Sequence, residues 1–507
     1  MHPGASALLK TQVFVAGATT HLFLNSTVAN KSFAMFFFSY FSIFLSLFGA
    51  SWAWSPNGTS ESDYIMGINL GSYFIIEEWM MWQYVGCNAP GVNDTWGLQS
   101  MSNAEEIMIN HLDNYIREVD FQDAQARGVN FVRIPIAFWM FIPTQGDEPY
   151  WTDSRQKDVY LRQLVDWAVK YKMEVLLDIH ALPGGQNLND HSGRNLEIAG
   201  LTPQFLNSTN LARGNDTVDA IIEWVQALPT NLSSAIAMIE LANEPQISMT
   251  GAYDALVGYY VANQAKIADK LPNVWTVIGD AWLGVQSWGD VFNPSQKVIL
   301  DLHWWNLFTD IPSLTVLEDT YCSLPPASSP HAWNNPIIIG EFSGNENGIN
   351  FTHGETDEER LQFYQLLYAS QLWAARGSDG RLPQYRGAFV WSMKCTNCAD
   401  VWQPYWMSGQ SDTLAITAPN WCNSSQTTPT NPNQGKINPS PESNYDKCGV
   451  YDDRVSATTS SGSSASNTAS GATASSSKTS AANAMRWVSR DKVYSLLACL
   501  AALPVVL

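Results

Sequence analysis

The sequence predicts one large α/β domain, a closed (β/α)8 TIM barrel, on three observations. Short β-branched apolar runs recur at wide spacing, stretches of helical periodicity lie between them, and a polar, chemistry-bearing residue ends most of the runs. Runs that are apolar along their whole length fit strands buried on both faces, as a parallel sheet covered by helices demands. Spacing alone also permits an open, doubly wound sheet. The polar residues decide for the barrel, because there the C-terminal ends of all strands converge on one mouth.

The elements follow in order. Ile65–Leu70 is the first run, with Glu77 in the loop after it. Phe131–Pro135 is the second, with Arg133 read as standing at its end. An amphipathic stretch, Leu161–Tyr171, turns Val165 and Trp167 inward and leads to the third run, Val175–Ile179, which carries Asp178 and ends at His180. Ile236–Leu241 is the fourth and runs into Asn243-Glu244-Pro245. Trp275–Ile278 is the fifth. Val298–Leu302 precedes His303, Pro336–Ile339 precedes Glu341, and Gly387–Val390 precedes Trp391.

Composition bounds the function. The chain has 507 residues, 45% hydrophobic, enough for a large core. Its formal charge of −20 repels a phosphate backbone and argues against nucleic-acid binding. The 21 tryptophans are mostly core, but such a surplus also suits sugar rings, whose apolar C–H face an indole plane complements. No cofactor is called for. Cys395-x-x-Cys398 has no second pair nearby to complete a zinc site, so no metal is expected. The chain is expected to be monomeric.

Both ends read as address labels. Lys31 precedes an uncharged run, Phe33–Gly49, and Ser51-Trp52-Ala53 offers a small-x-small cleavage site, so residues 1–53 read as a leader with a signal peptide or, alternatively, a signal anchor. Residues 54–455 form the barrel domain. Residues 456–484 are almost wholly Ser, Ala, Thr and Gly, a composition that buries no core. Residues 485–507 supply a polar spacer and the apolar tail Tyr494–Leu507, too short for the ~20 residues of a membrane span, and read as a GPI-attachment signal. With Cys499 in that tail, the remaining cysteines, Cys87, Cys322, Cys395, Cys398, Cys422 and Cys448, form an even set suited to disulfides. Sequons at Asn57, Asn93, Asn207, Asn215, Asn231, Asn350 and Asn423 agree with a secreted, cell-surface or cell-wall location.

Between Gly67 and Lys394 the residues resemble glycoside hydrolase family 5, and within it the fungal exo-β-1,3-glucanase group. Gly67-Ile-Asn-Leu-Gly71 through Glu77 resembles the group's first-strand motif, and Asp178-Ile-His180, Pro183-Gly-Gly-Gln186-Asn187 and Asp190 resemble its third. Leu241-Ala-Asn243-Glu244-Pro245 resembles its acid/base motif, Ile339-Gly340-Glu341-Phe342 its nucleophile motif and Trp391-Ser-Met-Lys394 its last-strand motif. The resemblance implies retaining hydrolysis of β-glucosidic bonds in cell-wall β-glucan, with release of glucose from chain ends. It also implies that Glu77, His180, Asp190 and His303 bind the sugar and that Trp391 is its stacking floor.

The chemistry needs these residue types in its own right. Glycosidic cleavage takes one carboxylic acid to protonate the leaving oxygen and one carboxylate to meet the anomeric carbon. Glu244 and Glu341 end the fourth and seventh strands and can face each other. Glu244 is expected to be raised in pKa by the anionic Glu341, and Arg133 to keep Glu341 ionised. Asn243 is expected to bond the sugar's 2-hydroxyl. Glu240, also on the fourth strand, reads as a buried structural carboxylate, and His191 as a residue that only lines its loop.

Two departures bear on specificity. The family has His-x-Tyr after strand six, with the phenol on the nucleophile, whereas this chain has His303-Trp304-Trp305. The exo-glucanase group also has an aromatic just before Asp190, where this chain has Asn189, so of the pair that would clamp the leaving-side sugar only Phe308 is retained. A β-1,6-glucanase, a glucan transglycosylase and, in another class, an inactive glucan-binding wall protein remain the alternative readings.

Overall fold

The computed structural model describes residues 54–56, 64–80, 92–126, 128–247, 251–306, 333–346, 371, 375 and 384–394. The leader, the six paired-cysteine candidates, the stalk and tail, Phe308 and the sequons at Asn57, Asn350 and Asn423 lie outside them. Eight strands form a closed barrel in sequence order, each parallel to the next, with the eighth pairing back onto the first. They are β1 (Ile65–Asn69), β2 (Phe131–Ala137), β3 (Glu174–Ala181), β4 (Ile236–Glu240), β5 (Trp275–Gly279), β6 (Val298–Asn306), β7 (Ile337–Glu346) and β8 (Tyr385–Val390). Every expected run is a strand. The corrections concern strand ends: Arg133 lies inside β2, which continues through Pro135 to Ala137, and His303 and Glu341 lie inside β6 and β7, which run on past them to Asn306 and Glu346.

Helices cover the outside. Among the described residues these include α1 (Ala104–Asn114), α2 (Glu118–Ala126), α3 (Arg162–Lys170), α4 (Ser208–Ala227) and α5 (Ala252–Lys270). The expected stretch at 161–171 is α3, and it buries Leu164, Val165 and Ala168 at helical spacing. Trp167 is only partly buried and sets its edge against Phe121 of α2. Helix α4 starts where the Asn207 side chain accepts the Asn210 amide, the N-cap that satisfies an otherwise orphan donor. Two hydroxyls on α5 reach the sheet: Tyr259 donates to the Leu241 carbonyl and Tyr260 to that of Gly279, each at 3.1 Å. They tie the helix to the strand ends after β4 and β5, where the candidate residues lie.

The barrel interior is layered, as the two-residue period of a strand requires. The bottom layer is apolar and packs Ile65, Phe131, Leu176, Met238, Val277, Ile299, Ile338 and Phe389 together. Two residues further along their strands stand Arg133, Asp178, Glu240 and Asp301, joined by Asn69, which pairs in register with Arg133; all are buried and polar. Two further again come His180 and His303. The same period that fills the core thus raises a charged layer and then a titratable mouth.

Candidate active site

Arg133 organises the charged layer. Its Nη1 donates to Glu341 Oε1 at 2.7 Å and to Asn69 Oδ1 at 3.0 Å. Its Nη2 donates to Asn243 Oδ1 at 2.8 Å and lies 3.0 Å from Asp178, and its Nε donates to Glu240 at 2.9 Å. Glu240 is therefore a buried partner of the guanidinium, well away from solvent. Glu240, Asp301 and His303 bring ligand atoms within 4.8 Å of one another, a spacing that also suits a metal ion. Arg133 already lies 2.9 Å from Glu240 and 3.9 Å from Asp301, so a guanidinium supplies the positive charge there.

Glu341 sits on β7 directly after Gly340. The Gly340 amide donates to Asp301 Oδ1 at 2.5 Å, and a Cβ at this position would fall 1.9 Å from Asp301 Oδ2, so only glycine allows β6 and β7 to approach here. Glu244 follows β4 with φ +44°, a left-handed conformation that is rare for a residue with a side chain and that clusters at functional sites. Its carboxylate is held on both oxygens. His303 Nδ1 lies 2.6 Å from Oε1, the Trp305 indole donates to the same oxygen at 3.2 Å, and His191 Nε2 lies 3.2 Å from Oε2. Glu244, Glu341 and His303 each place an atom within 4.8 Å of the others. His303 Nδ1 is also 3.5 Å from Glu341 Oε2, so one imidazole reaches both carboxylates.

The proton distribution reverses the expectation. Burial pushes Glu244 upward, but hydrogen bonds and charge from His191 and His303 outweigh it and hold the carboxyl well below its usual range. Burial lifts Glu341 to about 7 against the opposing pull of His303 and Arg133. His191 is raised to about 9: burial disfavours its charge, but the bond to Glu244 and the carboxylates of Glu77 and Asp190 more than offset this. His303 is likewise pushed well up, because Glu341, Asp301 and Glu244 together overcome its burial. The nearest charges on Glu244 are thus two imidazoles rather than Glu341, and sequence spacing did not reveal them.

The remaining candidates gather around this pair. His180 is lowered to about 4 by burial, partly opposed by Asp178, whose Oδ2 lies 2.6 Å from His180 Nδ1. The ring is neutral, with Nε2 3.4 Å from Asn243 Nδ2. Trp391 lies nearly parallel to that imidazole, with centroids 5.6 Å apart and an interplanar angle of 13°. Glu77 is buried; it accepts the Trp79 indole at 2.9 Å, and burial followed by the nearby Asp190 raises it well above the usual carboxylate range. Asp190 accepts the Glu78 amide at 3.1 Å, which joins the loops after β1 and β3. Asn189 is exposed on the rim.

The sequence misread His191, missed Trp282, and placed Trp305 in the site as a sugar-binding residue without its partner. His191 does more than line its loop: it contacts the Glu244 carboxylate. Trp305 takes the tyrosine's place, but its N–H goes to Glu244 rather than to Glu341. Trp282 follows β5, the one run with no functional residue assigned to its end. It is 49% exposed at φ +59°, next to Ala281 at φ +55°, and its ring stands perpendicular to that of His303, with centroids 6.2 Å apart. Asp280 holds this turn by accepting the Trp282 and Gly284 amides at 3.0 and 3.1 Å. Position at a strand end was the available signal for Trp282.

A family model for cellulases, glycosyl hydrolase family 5, matches residues 87–379. A relative from Aspergillus niger named "Probable glucan 1,3-beta-glucosidase A" is 30% identical over 290 residues, which cover 56% of this chain and 66% of that protein. One from Arthroderma benhamiae, named "Probable glucan 1,3-beta-glucosidase", is 30% identical over 292 residues, with 56% and 67% covered. The chain thus spans about two thirds of these relatives. Among solved structures, a rutinosidase from Aspergillus niger shares the fold with a TM-score of 0.56 at 19% identity, over 67% of this chain and 92% of that one. With the family match extending over more than half of its length, this chain belongs to glycosyl hydrolase family 5 and is a glycoside hydrolase.

Proposed function

We propose that this enzyme hydrolyses β-glucosidic bonds of a cell-wall β-glucan with retention of configuration, releasing glucose from chain ends, with Glu341 as nucleophile and Glu244 as acid/base. The observation that carries the reading is the convergence of these two carboxyls and His303 within 4.8 Å. Retaining enzymes hold the pair ~5–5.5 Å apart, and inverting enzymes need ~6.5–9.5 Å to admit a water between them. The relatives named as glucan 1,3-β-glucosidases support the β-1,3 linkage.

The resting protons stand two transfers, both through His303, from the reactive arrangement. His303 gives its proton to Glu244 and recovers one from Glu341, which leaves Glu341 anionic beside Arg133 and Glu244 as the acid. Glu341 then attacks the anomeric carbon while Glu244 protonates the departing oxygen, so a glycosyl-enzyme ester forms and the glucosidic bond breaks. Glu244, now a carboxylate held by His303, Trp305 and His191, takes a proton from water as that water opens the ester. Asn243, with its oxygen committed to Arg133 and one N–H facing His180 Nε2, keeps its other amide N–H for the 2-hydroxyl of the sugar. Glu77, His180, Asp190 and Trp391 line the glucose side.

The leaving side supports a second reading. Asn189 offers no apolar face, while Trp282 exposes one beside His303. A single flat platform accepts an aromatic aglycone as readily as a sugar, and one neighbour in fold is a rutinosidase. Digestion of laminarin, followed by proton NMR of the first product, tests both readings. β-Glucose as the sole early product supports exo-acting retention, α-glucose refutes retention, oligomers refute exo-action, and turnover of an aryl β-glucoside without any of laminarin favours the aglycone reading.

A further inference from the structure

We infer that the working N-terminus of this enzyme is Trp54, created by cleavage after Ala53, and that its α-ammonium group forms an ion pair with Glu174 that closes the bottom of the barrel. This site lies at the opposite end of the barrel from the candidate catalytic groups and does not depend on their roles.

The argument begins with Glu174, the first residue of β3. Its carboxylate is partly buried and, among the described residues, accepts one donor, the Trp54 backbone nitrogen at 3.2 Å. Among the described residues it forms no salt bridge with a Lys, Arg or His. Burial lifts it to about 8, only weakly opposed by that amide. A carboxylate in this position is costly unless a cation meets it. The one atom already in place becomes cationic if the chain starts there, since an α-amino group is charged at neutral pH, with an ordinary pKa of ~7.7–8.0.

Trp54 itself is placed as a plug. It is 8% exposed and belongs to the apolar bottom layer with Ile65, Met238, Ile299 and Phe389, and its ring meets Phe131 edge-on at 5.5 Å. The sequence before it supplies the processing signal. Lys31 and the apolar run Phe33–Gly49 are followed by Ser51-Trp52-Ala53, which puts small residues three and one before the bond to Trp54. Cleavage there adds water across the Ala53–Trp54 amide, leaving a carboxylate on Ala53 and an ammonium on Trp54 next to Glu174.

The test uses the full chain expressed in a secreting fungal host. Intact mass and N-terminal sequencing should read Trp-Ser-Pro at the start. The mature enzyme is then compared with three variants: Glu174→Gln, the mature chain preceded by Gly-Ser, and the two combined. Each single change should lower Tm by about 2–4 °C, and the combination should lower it no further, because both remove the same pair. The Gly-Ser chain keeps Glu174, so the comparison holds even if Glu174→Gln folds poorly. A different N-terminal residue overturns the processing site. Trp54 at the N-terminus with equal melting of the plain and extended chains, or fully additive losses, overturns the ion pair.

Discussion

Replacing Glu341 with Gln separates what this carboxyl does for turnover from what it costs the fold. The amide is nearly isosteric and its oxygen can still accept from Arg133 Nη1, which now lies 2.7 Å from Oε1. It cannot attack the anomeric carbon, so kcat should fall by about 10⁴–10⁶. Stability should move the other way. Burial raises Glu341 from 4.5 to about 7, so the native protein binds this proton more tightly than the unfolded chain does. The group's stabilising influence is complete below pH ~4.5 and is lost as pH rises through about 7; beyond that the buried charge is a constant cost. A shift of that size corresponds to about 3 kcal/mol. Glu341→Gln should therefore melt close to the parent at pH 4 and several degrees above it at pH 7.5. Thermal melts at the two pH values, paired with turnover of an aryl β-glucoside, are the measurement. Turnover within tenfold of the parent sinks the nucleophile, and a Tm difference that is the same at both pH values sinks the account of its burial.

The rim and the acid/base supply the other expectations. Asn189→Phe adds a stacking face worth ~0.5–1.5 kcal/mol, so KM for laminari-oligosaccharides should fall about two- to tenfold while kcat/KM for an aryl β-glucoside changes little; equal effects on both would remove residue 189 from the leaving side. Trp282→Ala should raise KM for the same oligosaccharides by a similar factor, and an unchanged KM would leave the strained turn at 281–282 without a role in binding. Trp305→Phe deletes a donor to the Glu244 carboxylate, so the acid holds its proton more tightly and the alkaline limb of kcat/KM should move up by about 0.5–1 pH unit; a downward shift would contradict the bond to Glu244. Release of the enzyme from cells by phosphatidylinositol-specific phospholipase C should follow if the C-terminal tail is exchanged for a GPI anchor, and retention of the tail in the mature protein would exclude it.

The fold was legible because a parallel barrel leaves its mark in each strand separately. Eight apolar runs sufficed, with errors only in length: β2 runs on because Ile136 and Ala137 still pair with β3, and β6 and β7 run on past His303 and Glu341. The carboxyl pair was legible because each member sits in its own short motif. What failed was everything set by contact between loops. Nothing in Asp190-His191 as a dipeptide says that the ring turns toward Glu244, and nothing in His303-Trp304-Trp305 says which carboxylate the indole will meet. The protonation order failed for the same reason, since it depends on two imidazoles supplied by β6 and by the loop after β3. Trp282 was hidden by its own conformation. A two-residue left-handed turn is not what a tryptophan favours, and only the structure shows Asp280 holding it there.

The cost of the charged layer points to why it is kept. One guanidinium faces Asp178, Glu240, Asp301 and Glu341 in a buried interior. Burial drives Glu240 well above the usual carboxylate range, against the pull of Arg133. Among the described residues, Asp178 Oδ1 and Glu240 Oε1 are buried with no hydrogen-bond partner, each a loss of about 1–3 kcal/mol. Apolar side chains of similar volume would pack the same space at lower cost, since buried ion pairs rarely stabilise more than well-packed hydrophobic replacements. Stability therefore does not explain this layer. Geometry does: a planar guanidinium donates in fixed directions, and here the same plane holds Glu341, Asn243, Asn69 and Glu240. It sets Glu341 and Asn243, the groups proposed as nucleophile and 2-hydroxyl contact, relative to each other through a single rigid group. The apolar layer beneath supports that plane, and the titratable mouth rests on it. The energy the barrel gives up in its middle layer is what holds Glu341 and Asn243 in register at its top.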